Sequence, residues 1–217
     1  MSKLVGLFEK HGTAIKLKKA RLLYGLDDPA TKMFFVRSGV VKIYRYSEDG
    51  KEIVFYLPGQ GELVSILPYL LGGNHTHNAE TLIDSEISWI EMSQFKSLVN
   101  SNPSILLEIA QILASRSKEY AGRVEAFVSR DALGRLAYII LELVNKYSIK
   151  TEGKISLPFP LTHQDLANLT GMFRETVSLA IQELTKAKVV SREKQIISVE
   201  NKPLLEEYSR YGKQTKV

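Results

Sequence analysis

Arg174, Glu175, Ser178 and Gln182 lie close together in the stretch Leu161 to Leu184, LTHQDLANLTGMFRETVSLAIQEL. An arginine guanidinium can bond O6 and N7 of guanine bidentately, a glutamate can accept from the amino group of cytosine, and a serine can bond a base or a phosphate. The chemistry on offer is hydrogen-bond readout of base edges rather than bond making. Val177, Ile181 and Leu184 recur at three- and four-residue steps, which predicts a helix that buries this stripe and turns the polar residues outward. Upstream, Thr162 with Asp165 three positions on predicts a capping box, Leu166 and Leu169 follow on the apolar face, and Gly171 stops that helix. Two short helices with base-reading residues on the first turns of the second form a helix-turn-helix pattern. On its own the pattern also describes an ordinary amphipathic helix pair.

Around this pair the chain reads as three segments, 1–101, 102–130 and 131–217. From about Ile15 to Glu91 short strands alternate with turns: MFFVRSGVVKIYRY, EIVFYLPGQGELV, then strands near AETLID and EISWIEM. Hairpin turns are expected at Ser38-Gly39 and Asp49-Gly50, because glycine takes the positive φ such turns require. This spacing predicts a β-sandwich or roll. From Asn102 the pattern becomes helical. Leu106, Leu113, Tyr120 and Phe127 fall seven apart, flanked by Ile109, Ala110, Ser117 and Val124, which is the spacing of a helix-helix seam. The seam is read as a dimer contact, the alternative being that it packs only on its own β domain; Arg116, Gly122 and Arg123 interrupt an ideal coiled coil. Asp131 is expected to cap a helix through LGRLAYIILELVNKYS, followed by a strand at Lys154 to Leu157. After the helix pair, VVSREKQIISVE reads as a hairpin turning near Glu193-Lys194, a wing suited to touching a phosphate backbone. The tail PLLEEYSRYGKQTKV is expected to form a helical turn and then fray. Thr162, His163 and Lys194 join Arg174, Glu175, Ser178 and Gln182 as candidate DNA contacts.

Composition frames these readings. With 217 residues, 44% hydrophobic and 24% charged, the chain is ordinary globular material, and its net charge of +5 suits a phosphate-bearing partner. Acidic residues accompany the basic ones nearly everywhere, so charge supports nucleic acid only weakly. There is no cysteine, which excludes thiol redox sensing and a cysteine-ligated iron-sulfur cluster. Neither a signal-peptide pattern nor an apolar run long enough to cross a bilayer is present; a cytoplasmic protein without a membrane partner is expected.

With its three segments in view, the chain resembles transcription regulators of the Crp/Fnr family over nearly its whole length. The carriers are FVRSGVVKIYRYSEDGKEIVFYLPGQGELV, NPSILLEIAQILASR, SRDALGRLAYIILEL and, above all, LTHQDLANLTGMFRETVSLAIQEL. The resemblance implies an α+β chain with an N-terminal antiparallel β-roll, double-stranded and jelly-roll-like, a long dimerisation helix and a C-terminal winged helix-turn-helix. It implies a homodimer that binds double-stranded DNA at a palindromic operator and works with RNA polymerase, the roll acting through the long helix on a hinge near Ser129 to Asp131. Arg174 and Glu175 match the family's base-contacting arginine and glutamate. Leu179 stands where the family usually has a third reader, an arginine. Leucine can press on a thymine methyl but cannot bond guanine, so the half-site should keep a guanine-cytosine step and differ at the position facing Leu179.

The effector site is less complete. Gly61-Glu62-Leu63 match the family's ribose-binding Gly-Glu, yet His77-Asn78-Ala79 stand where the phosphate-binding arginine and serine belong, and Tyr120-Ala121 replace the purine-contacting polar pair. Without its arginine a cyclic phosphate loses a charge-assisted bond. Cyclic AMP is therefore not expected, and Glu62 is read as structural. Arg116 matches the carboxylate-binding arginine of the nitrogen-control branch, whose members bind 2-oxoglutarate, though Ala121 replaces that branch's partner glutamate. Gly61, Glu62, Leu63, His77, Asn78, Arg116 and Tyr120 form the candidate effector pocket, its ligand unknown. His75 and His77 could share a face and ligate a metal, but two solvent-exposed loop histidines are the preferred reading, and no metal or cofactor is expected. A cupin-type enzyme lacks the histidine-carboxylate cluster it would need. The remaining alternative is a ligand-sensing module that acts on protein partners.

Overall fold

A computed structural model describes residues 2–151 and 154–212. Residues up to Ser117 form one compact unit and those from Lys118 a second. The first unit opens with a helix, α1 (Lys3–His11), capped by the Ser2 hydroxyl on the Val5 amide. Eight strands follow: β1 (Thr13–Leu17), β2 (Leu22–Tyr24), β3 (Lys32–Ser38), β4 (Val41–Tyr46), β5 (Glu52–Tyr56), β6 (Leu63–Val64), β7 (Asn78–Thr81) and β8 (Ser85–Glu91). They make two antiparallel four-stranded sheets, ordered β1-β8-β3-β6 and β2-β7-β4-β5. Tyr24, Val36, Val41, Ile43, Val64, Ala79 and Ile87 form one apolar cluster of this roll.

A second cluster forms where helices join the roll. α2 (Ile66–Leu71) interrupts the strands, and α3 (Met92–Ser101) and α4 (Ser104–Ser129) follow them. Leu4, Phe8, Met33, Phe35, Ile90, Phe95, Val99, Ile105 and Ile109 pack together, with Phe8 stacked on Phe35 at 4.9 Å. Three helices depart from the sequence reading, α2 among them, where only strands and turns are expected. α1 and α3 were unassigned there, although Leu4, Leu7 and Phe8, and Met92, Phe95 and Val99, recur at helical steps and are buried. Ile109, expected in the dimer seam, is 2% exposed inside this cluster, and Leu113 packs against it. The first half of α4 completes the roll's core with one face, which is why the chain divides within α4 and not at its start.

The second unit begins in the latter part of α4. There Arg123 makes a bidentate, largely buried ion pair with Glu142 of α5 (Ala132–Tyr147). Asp131 caps α5 on the Gly134 amide, and α5 buries Leu136, Ile140 and Leu143 as the hub of this unit. α6 (His163–Thr170) and α7 (Arg174–Lys186) pack on it, as does α8 (Lys202–Tyr211). A four-stranded sheet of β9 (Ile149–Thr151), β10 (Lys154–Ser156), β11 (Val190–Glu193) and β12 (Ile196–Val199) has the order β11-β12-β10-β9. β9 was not foreseen. The tail is more regular than expected: α8 is capped by Asn201, buries Leu205 and has its Ser209 carbonyl bonded by Arg130. The expected fraying falls on 213–217, outside the described residues.

The turns show why glycine sits where it does. Gly39, between β3 and β4, has φ +90°, and a Cβ there would lie 2.6 Å from the Ser85 Cβ. Gly50, between β4 and β5, has φ +78° but open space around it. Gly39→Ala should therefore destabilise the roll by more than the roughly 1–3 kcal/mol of backbone strain alone, and Gly50→Ala by about that strain. Urea unfolding of both variants checks the order.

Candidate nucleic-acid interface

α6 is locked at its start. The Thr162 hydroxyl accepts from the Asp165 amide, and the Asp165 carboxylate accepts from the Thr162 N–H at 2.8 Å, completing the capping box. Thr162, a candidate DNA contact, thus uses its side chain in the cap. α6 ends at Gly171, whose φ of +68° and ψ of +11° turn the chain left-handed before α7. Val177, Ala180, Ile181 and Leu184 are all at most 5% exposed, so α7 has a fixed inner face. Arg174, Glu175, Leu179 and Gln182 are exposed, Leu179 by 68%. No side chain caps α7 at Phe173, itself 72% exposed. A helix start of this kind suits an anion such as a phosphate.

The wing closes on this pair from the other side. β11 and β12 turn through Lys194 and Gln195, both at positive φ, one residue later than the sequence suggested. Lys194 is exposed at that turn, while the Gln195 carbonyl accepts from the Leu161 amide at 2.9 Å, tying the wing to the entry of the helix pair. Arg192 of β11 reaches inward: one guanidinium nitrogen donates to the Leu161 carbonyl at 2.7 Å and the other lies 2.8 Å from His163 Nε2. His163 Nδ1 lies 2.5 Å from the Ser178 hydroxyl. Burial, then the Arg192 and Arg174 charges, hold the His163 imidazole below the usual histidine range. His163 and Ser178 are therefore joined to each other and to the wing, a link made by Arg192, which sequence reasoning did not single out.

The roll holds the other candidate residues. Gly61 has φ +86°, and the Glu62 carboxylate accepts from the Gly59 amide at 2.7 Å, closing the turn before β6. Leu63 is fully buried, and its carbonyl accepts from the Arg116 guanidinium, which also donates to the Tyr56 hydroxyl at 3.3 Å. Arg116 is 7% exposed, and its buried Nε has no acceptor among the described residues. The Asn78 side chain braces the Leu26 amide at 2.9 Å, and His77 meets the edge of Phe55. Tyr120 belongs to the second unit and is 38% exposed. A cavity of about 20 Å³, room for about one water, lies among Tyr24, Tyr56, Ser65, His75 and His77. His75 is not the exposed loop residue expected. It is 3% exposed, stacks on Tyr24 at 3.5 Å, and its backbone bonds Asp27 and Asp28. Among the described residues no group of three or more histidine, cysteine or acidic side chains could hold a metal.

Residues 14–102 match the cyclic nucleotide-binding domain, and residues 134–208 match the Crp-like helix-turn-helix domain. The chain belongs to the Crp/Fnr family of DNA-binding transcription regulators. Within that family it is 28% identical to the cyclic AMP receptor protein of Thermus thermophilus over 180 residues, 83% of this chain and 80% of that protein. It is 27% identical to the global nitrogen regulator of Nostoc sp. over 189 residues, 86% of this chain and 84% of that one. FixK2 from Bradyrhizobium japonicum shares the fold, with a TM-score of 0.80 covering 90% of this chain and 96% of its own at 20% identity. Among the described residues no helix is long and apolar enough to cross a membrane.

In this Crp/Fnr member the buried ring of His75 ties the roll's stability to pH. Desolvation lowers its pKa to about 4, against 6.5 for a free histidine, with Asp28 opposing the shift. The unfolded chain thus takes up a proton that the folded one refuses. The stabilisation is complete above pH 6.5 and is lost as pH falls from 6.5 toward 4, a change on the order of 3 kcal/mol. Urea denaturation of the protein and of His75→Gln at pH 7.5 and 4.5 should show a smaller pH-dependent loss for the variant.

Proposed function

We propose that this chain is a homodimeric, sequence-specific transcription regulator of the cytoplasm, and not an enzyme, in which α7 enters the major groove of a palindromic operator. The observation that carries the proposal is the two-sided α7: an inner face held by Val177, Ile181 and Leu184, and an outer face that offers Arg174, Glu175 and Gln182 to a base edge. In this reading Arg174 bonds a guanine bidentately, Glu175 accepts from the paired cytosine or its neighbour, and Leu179 presses on a thymine methyl. Lys194 at the wing turn meets phosphate.

Dimerisation is supported by the outward side of α4, where Leu106, Leu107, Tyr120, Val124 and Val128 are between 38% and 82% exposed. Such a run on one helix fits a second copy of the same helix across a two-fold axis, with Phe127 alongside. α4 is continuous from the roll's core into the second unit, which supports control of the helix-turn-helix by the roll through this helix. An effector of the roll, where one acts, is not cyclic AMP. His77 and Asn78 offer the cyclic phosphate no cation, and Glu62 is engaged in its own turn. Promoter output passes through contact with RNA polymerase.

Binding to a duplex enriched from a random pool tests the assignment. Arg174→Ala should lose about 1–3 kcal/mol at one base pair and relax the preference there, whereas Lys194→Ala should weaken all sequences alike and reduce the salt slope by about one. Titrations by anisotropy at two salt concentrations measure both. Equal losses on all sequences for Arg174→Ala would remove it from the reading face.

A further inference from the structure

The chain of contacts Arg192, His163, Ser178 has a direction. A guanidinium has donors and no acceptor, so the 2.8 Å contact between Arg192 Nη1 and His163 Nε2 requires a lone pair on Nε2. A neutral imidazole with Nε2 as acceptor carries its hydrogen on Nδ1. That hydrogen points along the 2.5 Å contact to Ser178, whose oxygen accepts it. The single hydroxyl hydrogen of Ser178 is then left for a partner elsewhere. Ser178 lies one helical turn after Arg174 on α7 and is half-buried, so it belongs to the flank of the reading face that lies nearest the wing.

We infer that Arg192 of the wing, acting through the His163 ring, sets Ser178 as a hydrogen-bond donor, so that the recognition helix selects an acceptor edge at the base pair facing Ser178. Guanine O6 or N7, adenine N7 and thymine O4 satisfy such a donor; the amino group of cytosine does not. Arg192 and His163 are positioning residues in this account, and Ser178 is the reader. The groups around the ring agree with a neutral His163: Arg192 from β11 and Arg174 from α7 both oppose a positive charge there, and Asp165 on its own helix is engaged in the capping box. The inference rests on the proposal that α7 enters the groove, but the state of the ring can be measured without DNA.

Two measurements test it on the full-length protein. Nitrogen-15 spectra of histidine-labelled protein should show the neutral His163 ring protonated at Nδ1, and Arg192→Leu should return it to the ordinary Nε2-protonated form and raise its titration midpoint. Duplex selection from a random pool should then show the same single base pair losing its preference in Ser178→Ala and in Arg192→Leu, with affinity for the wild-type site down about 3- to 10-fold and other positions unchanged. Nε2 protonation in the wild type overturns the relay. A loss by Ser178→Ala that is equal for all sequences, as a phosphate contact would give, or no loss at all, overturns its reading role. A wild-type protein that enriches no sequence overturns the DNA-reading assignment, and this inference with it, whatever the ring measurement shows. Thermal melts of both variants identify any loss caused by unfolding, and in that case His163→Asn, which removes the relay without emptying the site, gives the deciding selection.

Discussion

The outward face of α7 depends on keeping Val177, Ile181 and Leu184 out of water. Each such side chain contributes on the order of 1.5–3 kcal/mol when fully buried, and together they allow only one rotation of the helix about its axis. With that rotation fixed, Arg174, Glu175, Leu179 and Gln182 have nowhere to go but solvent. α5 supplies a surface for the buried face of α7 and is itself anchored by the Asp131 cap and by the buried Arg123–Glu142 pair. Gly171 completes the constraint, since only a left-handed residue lets α6 end and α7 begin so soon. Chemistry at the interface is thus set by hydrophobic burial behind it.

The long helix meets a different demand with the same physics. α4 carries apolar residues on two sides. Ile105 and Ile109 are 2% exposed or less within the roll's core, whereas Leu107, Val124 and Val128 are more than 60% exposed. A helix with one wet apolar side is a surface that another molecule can cover, and in the proposed homodimer a two-fold related copy would supply that cover. The inward side makes the first half of the helix part of the roll.

The helix-turn-helix was legible because its signals are local. A cap three residues from its partner, one glycine and a three- to four-residue stripe are all readable along the chain. The roll was legible as strands and turns, since Gly39 and Gly50 mark hairpins in the sequence itself. What the sequence hid depends on distant partners. Ile109 sits beside a heptad, and nothing in the heptad says which of two apolar sides faces the roll. His75 follows two glycines and an asparagine and looks like loop, yet Tyr24, far back in the chain, covers its ring. Arg192 reads as one of many strand arginines until the fold brings it to His163. α3 is a different case: Met92, Phe95 and Val99 carry the helical period over one short stretch between the last strand pattern and the long helix, which is little signal beside its neighbours.

The central claim is that two copies of α7, fixed by their buried faces and paired through α4, read one operator. Hydroxyl-radical footprinting of the protein on its best selected duplex tests this most directly. The account predicts two protected patches on one face of the DNA, about 10 base pairs apart and related by a two-fold axis. A single protected patch, or protection without symmetry, would contradict it.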